Sequence, residues 1–501
     1  MTMLPDRCAS GIRGLDEILM GGLIARRMYL VDGNPGAGKT TLALQFLLEG
    51  ARKGERCVYV TLSETALELH SVAASHGWVL DGIDIVELIV DERALEEDAQ
   101  LTMLHASEVE LTATTSKMIA ALDRLNPTRM VLDSLSELRL LAQTSLRYRR
   151  QILALKQLFL GRTCTVVMLD DRTAEGPDLQ LHSIAHGVIS LETNTPAYGQ
   201  MRRELQVRKF RASRYVTGLH DFSIYQGGIV IFPRLVAADH LLGFDRSLLA
   251  SGVTRLDALL GGGIDRGTST LLIGPPGTGK STIAVQYAKA AADRGDHSAI
   301  FMFDETKVAM LTRCEGLGLR IKEGTGKGQT ALRQVDPSEV SPGEFVSLVR
   351  NCVERDDARV IVIDSLNGYL NAMPQDRFLT GQLHELLAYL NNRGVATFLV
   401  VAQAGLTGPA MTAPVEASYL ADTVVVLRYF EHEGTVKKAI SALKKRTGGH
   451  EGAIREVWFD SDGIHLSDPL LHLRGVLTGV PTEVNVGADG GRAQPREPAH
   501  A

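Results

Sequence analysis

Two eight-residue segments, GNPGAGKT and GPPGTGKS, carry the residue types and spacing that hold a nucleotide by its phosphates. The first runs through Gly33, Asn34, Pro35, Gly36, Ala37, Gly38, Lys39 and Thr40; the second through Gly274, Pro275, Pro276, Gly277, Thr278, Gly279, Lys280 and Ser281. Both satisfy G-x-x-x-x-G-K-[ST] without a departure. In such a loop the glycines let backbone N–H groups turn toward phosphate oxygens, and the lysine neutralises the β and γ oxygens. The closing hydroxyl ligates Mg²⁺. ATP and Mg²⁺ are therefore the expected ligands, with Thr40 and Ser281 on the metal.

A loop of this kind works only between a strand and a helix N-terminus, and both copies have that setting. RMYLVDG leads into the first, and KTTLALQFLLEGARKG leaves it with Leu42, Phe46, Leu47 and Ala51 on one helical side. TSTLLIG and KSTIAVQYAKAAADRG frame the second. Each site also needs an acid at the end of a neighbouring apolar strand to hold Mg²⁺ through water. MVLDS offers Asp133 and VIVIDS offers Asp364. The attacking water needs a base or orienting group. The strand ends LSET and FDET supply Ser63 with Glu64, and Asp304 with Glu305. The competing reading of these four is a helix N-cap with an acid in the first turn.

SGIRGLDEILMGGL from Ser10 and SGVTRLDALLGGGI from Ser251 repeat at a spacing of 241 residues, as do Lys39 and Lys280, and Glu64 and Glu305. One offset across three separated features means a duplicated domain. Within each half, apolar runs alternate with helical stretches, the pattern of an α/β fold with a mostly parallel sheet flanked by helices. In the first half the runs are MYLVDG, CVYVTL, MVLDSL, CTVVMLD and GVISLE; in the second they are TLLIG, AIFMFD, VIVIDSL, ATFLVVAQ and TVVVLR. We expect domains over residues 1–240 and 241–475. A disordered tail is expected over 476–501, where large apolar side chains almost vanish beyond about Val486.

A hydrophobic content of 45% with 22% charged residues fits a soluble globular chain, and the net charge of −6 gives no overall attraction for nucleic acid or anionic membrane. The five cysteines form no C-x-x-C pair, so neither a zinc site nor a disulfide framework is indicated. No run of about 18 apolar residues and no leader pattern is present, which points to the cytoplasm.

The loops, the strand-end acids and the S-G-[IV]-x-x-L-D-x-[IL]-[LM]-x-G-G-[IL] segments together resemble the RecA superfamily and, within it, the KaiC family of circadian-clock ATPases. The resemblance runs to about Leu473 and implies two tandem RecA-like P-loop NTPase domains. Where that family pairs adjacent glutamates, this chain has Ser63-Glu64 and Asp304-Glu305, so the resemblance implies Glu64, Asp304 and Glu305 as catalytic carboxylates. It further implies a hexameric ring of identical subunits in which a Lys-x-Arg pair reaches a neighbour's γ-phosphate. Lys209 and Arg211, and Lys444 and Arg446, match. Autophosphorylation of the second domain is also implied: VEASYLADTVVVL places Ser418 at the family's serine position and Tyr419 at its threonine. Clock or signalling proteins would be the partners.

DNA-binding motors of the same superfamily would present basic loops after the fourth strand. Here DDRTAEGPDLQLHS is net acidic and AGLTGPAMTAPVEAS holds no Lys or Arg, so nucleic-acid binding is not expected. The cluster Arg147 to Arg150 reads as a solvated helix start. His182 and His186, four apart, read as structural histidines more readily than as metal ligands. A nucleotide-gated scaffold with negligible turnover is the non-enzymatic alternative.

Overall fold

The computed structural model describes residues 6–88, 106–172, 179–196, 199–371, 379–403 and 419–484. Two compact units form, one from residues 1–234 with 341–347 and one from 235–340 with 348–501. Each is built on its own nine-stranded sheet.

In the first unit the strands in chain order are β1 (Met28–Gly33), β2 (Cys57–Thr61), β3 (Ile83–Glu87), β4 (Arg129–Asp133), β5 (Thr165–Asp171), β6 (Gly187–Asn194), β7 (Arg202–Phe210), β8 (Leu219–Tyr225) and β9 (Gly228–Phe232). Across the sheet they lie in the order β9-β8-β7-β6-β1-β5-β4-β2-β3. The six from β3 to β6 are parallel, and β7, β8 and β9 extend the sheet antiparallel. The loop-bearing strand β1 is interior, and alternate residues serve opposite cores. Tyr29 and Val31 pack with Leu42, Phe46 and Leu47 of helix α1 (Lys39–Arg52). Met28 and Leu30 pack on the other face with Ile152, Leu155 and Phe159. Burial on both faces is why these strands read as continuous apolar runs. Helix α2 (Ala66–Ser75) follows β2.

The second unit repeats the plan. Its strands are β10 (Ser269–Gly274), β11 (His297–Met302), β12 (Thr330–Gln334), β13 (Ala358–Asp364), β14 (Ala396–Ala402), β15 (Thr423–His432), β16 (Thr435–Lys445), β17 (Arg455–Asp460) and β18 (Gly463–Pro469). They are ordered β12-β11-β13-β14-β10-β15-β16-β17-β18. Helices α3 (Lys280–Asp293) and α4 (Lys307–Gly316) correspond to α1 and α2. The repeated S-G…L-D segment closes the same small loop in both units. Asp16 accepts from the Ser10 amide at 2.8 Å, and Asp257 from the Ser251 amide at 2.7 Å.

The apolar runs of the sequence locate five strands per unit and miss β3, β12 and the antiparallel extension. RRELQVRKF in β7 alternates polar and apolar because its buried residues, Leu205, Val207 and Phe210, point one way while the charged ones remain accessible. The tail expected from residue 476 needs a correction at its start. Leu473–Arg474 pairs antiparallel with Thr482–Glu483 around a 3₁₀ turn at Val476–Thr478, and Leu473 and Val476 are buried with Phe430 and Ala439. That small satellite core orders the segment; residues 485–501 lie outside the described residues. All five cysteines are buried and unbridged. Among the described residues no helix is long and apolar enough to cross a membrane.

Candidate nucleotide sites

Each loop joins the carboxyl end of its interior strand to the first turn of the following helix, and the lysine is the first helical residue. The residue before it, Gly38 or Gly279, has φ of 100° or 102°. An L side chain rarely adopts that conformation. At Gly279 an added Cβ would also fall 2.0 Å from Cζ of Phe459. Lys39 and Lys280 are only 7% and 6% exposed, curled back over their loops. Lys39 Nζ donates to the carbonyls of Gly33 and Asn34 at 2.9 and 3.0 Å, and Lys280 Nζ to that of Pro275 at 2.7 Å.

The strand-end acids arrive at the same sheet edge. Asp133 ends β4 and Asp364 ends β13. Both precede a cis peptide bond. Tyr59 donates to Asp133 Oδ2 at 2.5 Å, and the Thr40 hydroxyl also bears on that tyrosine. Burial pushes the Asp133 carboxyl above the usual range, more than Tyr59 and Lys39 draw it down. Burial likewise raises Asp364, against the pull of the Ser281 hydroxyl, Arg313 and Lys280. Each site thus offers one loop hydroxyl and one carboxylate, hard oxygens suited to a partly hydrated Mg²⁺ that also takes phosphate oxygens. No cluster of three or more His, Cys, Asp or Glu able to hold a metal occurs among the described residues. A cation here would rely on that hydroxyl–carboxylate pair and the nucleotide.

The downstream acids differ between the sites. After β2 the helix cap is Thr65, which accepts from the Glu68 amide while Glu68 reaches back to the Thr65 amide. This reciprocal cap leaves Glu64 outside the helix, half-buried, with Oε2 lacking a hydrogen-bond partner. Burial raises the Glu64 carboxyl, helped by the charges of Asp133, Glu68 and Asp171. Thr306 caps α4 in the second unit, but Glu305 is held by Arg313 in two hydrogen bonds of 3.2 and 2.7 Å. Asp304 is exposed and accepts from the Ser365 hydroxyl. Arg313, Tyr59 and Asp171, which ends β5 2.6 Å from Lys39 Nζ, are site residues that no motif announces.

The Lys-x-Arg pairs stand elsewhere. Lys209 is opposite Val188, which is level with Leu30 of β1; Lys444 is opposite Val424, level with Leu271 of β10. Each lies three residues, about 10 Å of strand, back from the loop and toward the opposite sheet edge. Lys209 Nζ donates to the carbonyls of His182, Ser183 and Ala185, and Lys444 Nζ to that of Ala421. Arg211 and Arg446 are exposed. His182 bonds Asp32 at 2.9 Å, whereas His186 lies past the helix Leu179–Ile184 and accepts from the Met28 amide at 3.4 Å, so the two histidines face different partners. Arg147, Arg149 and Arg150 are exposed on the first turns of the helix Ser145–Leu160, while Tyr148 is buried. Ser418 and the basic-poor segment 404–418 lie outside the described residues, as do residues 173–178.

A family model described as "ATPase: KaiC" matches this chain twice, over residues 8–236 and 249–469. The chain belongs to the KaiC ATPase family. Its relatives include "Circadian clock protein KaiC3" of Synechocystis sp. (strain ATCC 27184 / PCC 6803 / Kazusa), 24% identical over 485 residues, 95% of this chain and 94% of the relative. "Circadian clock oscillator protein KaiC" of Picosynechococcus sp. (strain ATCC 27264 / PCC 7002 / PR-6) is 25% identical over 481 residues, 95% of this chain and 92% of that protein. The protein of the same name from Synechococcus elongatus is 24% identical over 481 residues, with the same coverage. The two KaiC matches fall on the two sheets, and the chain is a KaiC-family ATPase with tandem domains.

Within this KaiC-type pair the lysines predict a pH signature. Burial lowers the Lys280 ammonium to about 8, against a smaller upward effect from Asp364. Phosphate binding favours the charged form, so above that pH binding at the second site must first take up a proton. In a Lys39→Ala protein, ATP affinity is expected to fall roughly fivefold between pH 8 and 9 and more steeply beyond. Calorimetric titration across that range checks it; a flat profile removes the buried-lysine account.

Proposed function

We propose that this protein hydrolyses MgATP at both phosphate loops and passes the nucleotide state on as a signalling or timing switch. The observation that carries the reading is the convergence, at one sheet edge, of a buried loop lysine, a strand-end acid with a loop hydroxyl, and a further carboxylate. Lys39 and Lys280 neutralise the β and γ oxygens. Thr40 with Asp133, and Ser281 with Asp364, would hold Mg²⁺, which neutralises charge on the triphosphate. Glu64 and Glu305 accept the proton of the attacking water, Glu305 after parting from Arg313, with Asp304 beside it as a second acceptor.

Lys209 and Arg211, and Lys444 and Arg446, act on the phosphates of an adjacent copy in a homo-hexameric ring, where cations stabilise charge developing in phosphoryl transfer. Their register, toward the edge away from their own loop, supports a role in trans. Ser418 takes a γ-phosphate in the second domain, making it a serine autokinase. The printed names of the relatives support a clock-type output read by partner proteins in the cytoplasm.

Incubation with γ-labelled ATP and Mg²⁺ tests both activities, with Ser418→Ala in parallel. Released phosphate plus label on the wild-type protein, absent from the variant, is the expected result. Release without retained label removes the autokinase. Neither release nor label, with nucleotide bound, leaves the scaffold.

A further inference from the structure

The two sites share a loop and differ in charge. In the first, Lys39 Nζ sits 2.6 Å from Asp171 Oδ1. Asp171 is level with Gly33 on the adjacent strand. In the second, the residue level with Gly274 is Ala402, and Lys280 has no carboxylate partner among the described residues. The equivalence is secure, because the next amide, of Arg172 or Gln403, donates to the Gly33 or Gly274 carbonyl respectively. The other difference lies on the following helix. Arg313, paired with Glu305 at 2.7 Å, stands 241 residues after Val72.

Counted as ionised groups, the first site sets Glu64, Asp133 and Asp171 against Lys39. The second sets Asp304, Glu305 and Asp364 against Lys280 and Arg313. Near the first site, Arg172 pairs with both Asp32 and Glu192, His182 with Asp32, and Arg139 with Asp170, so these basic groups are already engaged by acids other than Asp171. A triphosphate entering the first site must therefore take Lys39 from Asp171 and then lie beside the released carboxylate. Like charges at such separations repel strongly when partly shielded from water. A divalent cation on the nucleotide offsets that repulsion, and the second site, with an extra cation and no such acid, needs the offset less.

We infer that Asp171 is an internal stand-in for the terminal phosphate, holding Lys39 while the first site is empty and making nucleotide entry there depend on a divalent cation more than at the second site. It is a positioning and selectivity residue, and the inference rests on the ATP reading above. Any nucleotide free of metal is discriminated against at the first site, so the two halves of one chain respond differently to free Mg²⁺.

The test measures ATP dissociation constants in full-length protein with Mg²⁺ and with EDTA. The Lys280→Ala chain isolates the first site and the Lys39→Ala chain the second. The ratio of the EDTA constant to the Mg²⁺ constant is expected to be larger at the first site. Adding Asp171→Asn should shrink that ratio about tenfold, chiefly by tightening metal-free binding. Adding Ala402→Asp to the Lys39→Ala chain should enlarge the second site's ratio. An unchanged ratio in Asp171→Asn, or equal weakening with and without Mg²⁺, overturns the proposal and leaves Asp171 a structural partner. Absence of all ATP binding in the Lys280→Ala parent instead overturns the reading of the first site as a nucleotide site.

Discussion

Lys39→Ala protein should bind one ATP where the parent binds two, and its remaining site should keep the parent's affinity. The loop lysine makes charge-assisted hydrogen bonds to two phosphates, each worth about 1.5–3 kcal/mol. Losing both weakens binding by a few hundredfold or more. The loss should be greater than that caused by Lys280→Ala. Without Lys39, Asp171 faces the phosphates with its ion-pair partner removed, whereas Ala402 contributes no charge in the corresponding place. Equilibrium dialysis with labelled ATP on the parent and both single variants gives stoichiometry and affinity together. If either single change removed all binding, the independence of the two sites would be wrong.

The second large effect concerns turnover. Glu64→Gln, placed in a Lys280→Ala chain, should keep ATP bound and lower phosphate release about 10²–10³-fold, the range of a lost general base. The substitution preserves the shape of the side chain while removing the proton acceptor. It should also leave the fold intact, because the helix after Glu64 is capped by Thr65 and Glu68 and does not use Glu64. Glu305→Gln in the Lys39→Ala chain is expected to lower turnover too, but it also breaks the paired hydrogen bonds with Arg313, so its effect on ATP affinity should be the larger of the two. Unchanged release in either variant removes that carboxylate from the catalytic list.

These expectations draw unequally on sequence and structure. The loops were legible because everything they need is consecutive: a strand, glycines where the backbone turns left-handed, and a lysine opening a helix. Asp133 and Asp364 were legible because a lone acid at the end of an apolar strand is conspicuous. The duplication was legible as a single offset. The β7–β9 extension and its counterpart were not, since strands with one accessible face carry their signal in alternation and not in apolar runs. Asp171 and Arg313 stayed hidden for a different reason. Asp171 acquires its role only when β5 docks beside β1 with Asp171 level with Gly33, and Arg313 only when α4 brings it back over Glu305. Strand register and helix rotation are set by the whole core, so no local pattern states them.

In the ring proposed above, the placement of Lys209 three residues back from its own loop, with Arg211 further back still, has a meaning for inheritance. A chain whose loop is dead still carries an intact pair to lend, and a chain whose pair is dead still carries an intact loop. On that proposed arrangement, two defective alleles expressed together are expected to rebuild working sites at the joints where they meet, while one defective allele mixed with wild type spoils one site per defective chain, its own or its neighbour's.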